Sequence, residues 1–166
     1  MDRKITFTVV LAAYPAWLAF LVLHELGHVL NAWLTGGLVR FVDVPLWGFS
    51  HTDVSPNPHP ALVACGGAIW GTALPVLLMV VARRVSRGVV ARAAIGSAGL
   101  CLVANGAYLA FGGFLTAGDA ADLVRFGVPV WTLALVGFAQ SAAGLGFWHF
   151  ATQRAREERG KKAARS

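Results

Sequence analysis

A long apolar run from Ile5 to Leu34 carries, in its second half, three side chains that hydrocarbon tolerates poorly: His24, Glu25 and His28. A run of this kind fits a membrane-crossing helix, which needs about 20 apolar residues. A charged side chain at the bilayer centre costs about 2–3 kcal/mol or more, so such residues normally face a cavity or a partner. On a helix, residues four apart share a face, so His24 and His28 aim at one locus. Two imidazoles at that spacing suit zinc, which takes nitrogen ligands at about 2.0–2.1 Å. Glu25 lies one step round the helix. It is placed to take a proton from a water at the ion without binding the ion itself.

The remainder of the chain supports a membrane setting. Of its 166 residues, 57% are hydrophobic and only 13% are charged, with a mean hydropathy of +0.63. That composition belongs to polytopic membrane proteins rather than to soluble cores. The expected fold is therefore an all-α membrane protein of one domain. Its four transmembrane helices fall at about 5–34, 61–82, 93–115 and 128–151, with a basic tail at 152–166. The N-terminus resembles a signal peptide, but its apolar run continues well past the 7–15 residues of a signal core. It is expected to stay as the first helix. Cys65 and Cys101 both lie in apolar runs, where small buried thiols are the simplest reading.

The segment Leu38–Pro60 differs from its surroundings. It holds Arg40, Asp43, His51, Asp53 and His59 together with four prolines, so it cannot span as a helix. A short hairpin at the membrane rim is expected, with a turn near Leu46-Trp47-Gly48. Gly67 and Gly71 form a small-xxx-small pair that lets another backbone approach. Asn105 is the strongly polar side chain of the third helix, and Thr116–Gly127 reads as a polar break.

The 14 Lys and Arg are unevenly placed. Arg3 and Lys4 lie at the N-terminal end, Arg83, Arg84, Arg87 and Arg92 between the second and third helices, and six more in the tail. Only Arg40 and Arg125 fall in the other two connections. With four spans, the three basic regions share one side, which the positive-inside rule makes the cytoplasm. Both termini are then expected inside the cell, in the cell membrane. The basic residues, which give the net charge of +6, meet the bilayer surface rather than nucleic acid. His24 lies toward the outer side, level with the hairpin and the 116–127 break.

A catalytic zinc takes three protein ligands and an open position. After Glu25 no glutamate occurs until Glu157 in the tail. The available third ligands are Asp43, His51, Asp53, His59, Asp119, Asp122 and His149, of which His149 falls at the wrong end of its helix. Asp119 and Asp122 are level with the histidines in this topology. Asn31 continues the polar stripe of His24 and His28 and is a candidate partner for a ligand imidazole.

His24-Glu25-Leu26-Gly27-His28 in a first membrane helix, followed by an aspartate near a later helix end, resembles the site-2 protease family of intramembrane zinc metalloproteases. The resemblance implies one Zn2+ held by the two histidines and a later aspartate, with the glutamate activating water. Carried over by residue, it gives His24, His28 and Asp119 as ligands, Asp122 as the alternative ligand and Glu25 as the base. Family members often carry a G-P-x-x-N stretch whose asparagine helps orient substrate. Cys65–Gly71 has no asparagine, which leaves Asn105 for that role. The family generally sets its zinc nearer the cytoplasm, whereas the charges here set it nearer the outside.

Two function classes follow. One is a zinc metalloendopeptidase acting on membrane-protein or peptide substrates. The other is an inactive metal-binding membrane protein serving as partner or ion-handling module. Glu25 discriminates between them, since a site that only binds metal has little use for a carboxylate aimed at water.

Overall fold

The structure, a computed structural model, describes residues 3–86 and 88–163. The chain is an all-α membrane protein with a single small hairpin. Its elements are α1 (Arg3–Leu34), β1 (Val39–Asp43), β2 (His51–Val54), α2 (Pro60–Val85), α3 (Val89–Gly112), α4 (Gly118–Arg125) and α5 (Val130–Ala163). Among the described residues four helices are long and apolar enough to cross a membrane, over Tyr14–Leu34, Pro60–Val85, Val90–Gly112 and Val130–Gln153. Helix is the form such segments take in hydrocarbon, because it satisfies every backbone N–H and C=O within the segment.

The helices pack in the spatial order α1, α2, α3, α5, and glycines set the closest crossings. A Cβ at Gly27 or at Gly66 would collide with the backbone carbonyl of the other, so α1 and α2 touch main chain to main chain. Gly106 and Gly137 make the same kind of crossing between α3 and α5. Further along that pair, Trp148 fits over Gly99 and its indole N–H donates to Gly96 O at 2.9 Å. Small residues are what allow such approach in a membrane, where lipid provides no hydrophobic drive between helices.

Three parts of the architecture differ from expectation. The 116–127 break contains α4, whose Ala120, Ala121 and Leu123 are buried, Ala120 and Leu123 in a cluster with Ala64, Leu109 and Leu133. Tertiary burial makes this segment helical despite its polar sequence. The basic tail continues α5 as helix to Ala163, since nothing between Ala151 and Ala163 interrupts it, and residues 164–166 lie outside the described residues. The hairpin is antiparallel, with Val42 opposite Thr52 and Asp43 opposite His51, and it folds back along α1 instead of staying at the helix end. The Tyr14 hydroxyl donates to Leu46 O at 2.9 Å, Trp47 lies against the Tyr14 ring, and Val44 packs with Phe20 and Leu21. The hairpin tip thus stands about 15 Å below His24 by helix rise.

The crossing at Gly66 yields a stability test. Gly66→Ala puts a methyl into the Gly27 carbonyl and is expected to lower the melting temperature in detergent, by an overpacking cost of about 1–3 kcal/mol. Gly146→Ala, at a position with open space around the added methyl, is the matched control and is expected to leave the melting temperature unchanged.

Candidate metal centre

His24, Glu25 and His28 lie on the inner face of α1 and are 7%, 2% and 5% exposed, which excludes a solvated role for the polar stripe. A carboxylate oxygen of Glu25 and a ring nitrogen of each histidine fall within 4.8 Å of one another. α4 brings Asp119 to the same point. Asp119 Oδ2 lies 2.9 Å from His24 Nε2 and 3.2 Å from His28 Nε2. Oxygen and nitrogen ligands about 2.0–2.1 Å from a tetrahedral zinc are separated from each other by about 3.3 Å. The observed spacing is therefore close to that of a ligand set.

Hydrogen bonding fixes which atoms face the centre. His28 Nδ1 is 2.8 Å from Val63 O, and a carbonyl only accepts, so Nδ1 carries a proton. In neutral His28 the Nε2 lone pair then points at the Asp119 carboxylate. The Asp119 carboxylate held against two imidazoles in an apolar bundle needs a positive partner, which a proton on an imidazole or a divalent metal can supply. α4 itself lies outside the four membrane-crossing segments. Burial pushes the Asp119 carboxyl upward. The hydrogen bonds and charge of His24 and His28 outweigh that and hold it well below the usual carboxylate range.

α2 forms the wall behind the imidazoles. A Cβ at Gly67 would overlap His24 Nε2 and Cε1 and His28 Nε2, so only glycine admits both rings. Glu25 is anchored from the hairpin, where the Thr52 hydroxyl donates to Glu25 Oε2 at 2.5 Å. Tyr108 on α3 stands edge-on to the His24 ring, and its hydroxyl accepts the Asp119 backbone N–H at 3.0 Å. His24, Glu25, His28, Thr52, Tyr108 and Asp119 line a cavity of about 610 Å³ that runs along α1 past Phe20, Leu21 and Trp17, with Ala104 and Ser50–Val54 of the hairpin also lining it.

The other expected site residues lie elsewhere. Asn31 does not reach a ligand imidazole. Its amide donates to Leu62 O at 2.6 Å and its oxygen accepts from the Trp70 indole at 3.0 Å, so it ties α1 to α2. The Val63 carbonyl holds His28 in its place. Asn105 is fully buried and donates to Ala68 O and Thr72 Oγ1, both at 2.8 Å. It is not among the cavity-lining residues, and its bonds tie α3 to α2. Asp122 borders the cavity, but its carboxylate accepts from Arg125 at 3.0 Å in an exposed pair and makes no bond to either histidine. His51 is exposed and meets the Phe41 ring edge-on. Cys65 and Cys101 are free thiols. The sequence reading missed Thr52, Val63 and Tyr108. Only Tyr108 left a trace, as one of two tyrosines in the chain.

No family model, characterised protein or solved structure matches the chain.

The ligand set predicts the response to substitution. Purified protein is expected to carry one zinc per chain, measured by elemental analysis, and Asp119→Ala or a His24→Ala, His28→Ala double variant is expected to carry none. Asp122→Ala is expected to keep it. Full zinc in the double variant would place the metal elsewhere.

Proposed function

We propose that this protein is an intramembrane zinc metallopeptidase of the site-2 protease kind. The observation that carries the reading is the meeting of His24, His28 and Asp119 at one point, with a buried Glu25 beside them and a cavity in front. Zinc bound there would supply a Lewis acid, polarising a carbonyl and lowering the pKa of water to about 7. The chain's own residues do the rest. Glu25 takes the proton of the attacking water and returns it to the departing amine nitrogen. Thr52 donates to one Glu25 oxygen and so leaves the other oriented for that transfer.

The substrate reading comes from the cavity. Its volume lies in the range of about 300–1,000 Å³ common for binding sites. Its deep end is apolar, with Trp17, Phe20, Leu21 and Ala104. Among the described residues β2 pairs only with β1, and it borders the cavity from His51 to Val54, so its second edge suits pairing with an extended chain. An apolar peptide segment, unwound from a membrane helix, suits both features. The uneven charges support a topology with both termini in the cytoplasm and the metal site toward the outer side.

Glu25→Gln keeps the size and a hydrogen-bond acceptor but cannot take a proton. It is expected to bind zinc as the unsubstituted chain does, and to lower cleavage of a co-expressed single-span substrate by about 10²–10⁴-fold. Unchanged cleavage would refute the role given to Glu25. If the unsubstituted chain binds zinc but cleaves nothing, a metal-binding module becomes the better reading.

Orientation is checked separately. A reporter fused after Ser166 is expected to read as cytoplasmic, and one inserted within 54–60 as external. The reverse result would invert the topology and leave the site chemistry intact.

A further inference from the structure

Tyr108 is held more tightly than a lining residue needs to be. Its hydroxyl accepts the Asp119 N–H at 3.0 Å, at the start of α4, where Ala117 provides no side-chain cap. Gly118 has a φ of +57° and lies flat against that hydroxyl, so that any Cβ at 118 would overlap it. The ring edge meets His24 with centroids 6.0 Å apart and planes at 83°. The oxygen is therefore fixed beside two of the three proposed ligands.

One half of its hydrogen-bonding capacity remains. A phenol both accepts and donates. The acceptor side is used by Asp119, and among the described residues no group accepts the Tyr108 proton. The hydroxyl belongs to the same cavity as Glu25. Its neighbours in the centre are already committed or cannot donate: Thr52 is bonded to Glu25, the two imidazoles face Asp119, and Asp119 and Asp122 are carboxylates. A preorganised donor with no ground-state acceptor is what stabilises charge that appears only during reaction.

We propose, resting on the peptidase reading, that Tyr108 is a catalytic residue whose O–H donates to the scissile carbonyl oxygen as that oxygen gains negative charge. The water oxygen bonds to the carbonyl carbon and the C=O π pair moves onto oxygen, where Tyr108 meets it. The water's proton passes to Glu25 and from there to the nitrogen as the C–N bond breaks. Tyr108 keeps its own proton throughout.

The plainer role for Tyr108 is to cap α4 and so hold Asp119, and the two roles separate in one variant. Tyr108→Phe is made in the full chain, loaded with zinc in detergent, and compared with the unsubstituted chain by zinc content, by kcat and KM on an apolar peptide, and by affinity for a phosphinic peptide that mimics the tetrahedral carbon. The product peptide serves as the ground-state control. The expected result is retained zinc, KM little changed, kcat per zinc reduced by about 10²–10³-fold, and phosphinic-peptide affinity reduced in parallel while product affinity is unchanged. Wild-type kcat per zinc together with wild-type phosphinic affinity would overturn the proposal, whether or not zinc affinity falls, and would leave Tyr108 as a cap. If the zinc-loaded unsubstituted chain neither cleaves peptide nor binds the phosphinic mimic, the peptidase reading itself fails and this role fails with it.

Discussion

Charge neutralisation at one point inside an apolar bundle governs this structure. Asp119 brings a carboxylate to His24 and His28 at 2.9 and 3.2 Å, in surroundings where an unmatched ion costs several kcal/mol. His24 and His28 are buried within a membrane-crossing helix, and Asp119 reaches them from α4. Each is tolerable because the others answer it, and the proposed metal would complete that balance. The constraint reaches outward. α4 exists to deliver Asp119, the Val63 carbonyl turns the His28 ring, and Gly67 gives up its side chain so that both rings fit.

The crossing of α1 and α2 is the mechanical counterpart of that chemistry. Gly27 sits inside the histidine motif, and its contact with Gly66 brings α2 to main-chain distance at the level of the site. Asn31 secures the same pair of helices nearer the end of α1, through Leu62 O and the Trp70 indole. The second ring nitrogen of His28 is thereby held by backbone, the Val63 carbonyl, and not by a specialised side chain. The hairpin, folded back along α1, adds Thr52 from the opposite side.

The parts of this that could be read from the sequence share a physical character. Long apolar helices announce themselves by length, and His24 and His28 by the helical period, because both are local properties. α4 is eight residues long and polar in sequence, and it is helical for reasons that lie in α2, α3 and α5. Its tyrosine cap comes from another helix, so no local pattern marks it. Asn31 and Asn105 look functional in a sequence because polar groups in hydrocarbon are costly. The side-chain NH2 of each bonds to a neighbouring helix's carbonyl, which no sequence displays. Asp119 could be shortlisted by topology, while its separation from Asp122 rests on which face of α4 is buried.

The central claim is that two imidazoles and one carboxylate form a metal site within the membrane. Zinc K-edge X-ray absorption on the purified chain measures those ligands directly. The account predicts a shell of light atoms at about 2.0–2.1 Å, containing two imidazole nitrogens and a carboxylate oxygen, with one further light atom. A sulfur shell at about 2.3 Å would give the metal to Cys65 or Cys101 and contradict the account, as would a protein that takes up no zinc at all.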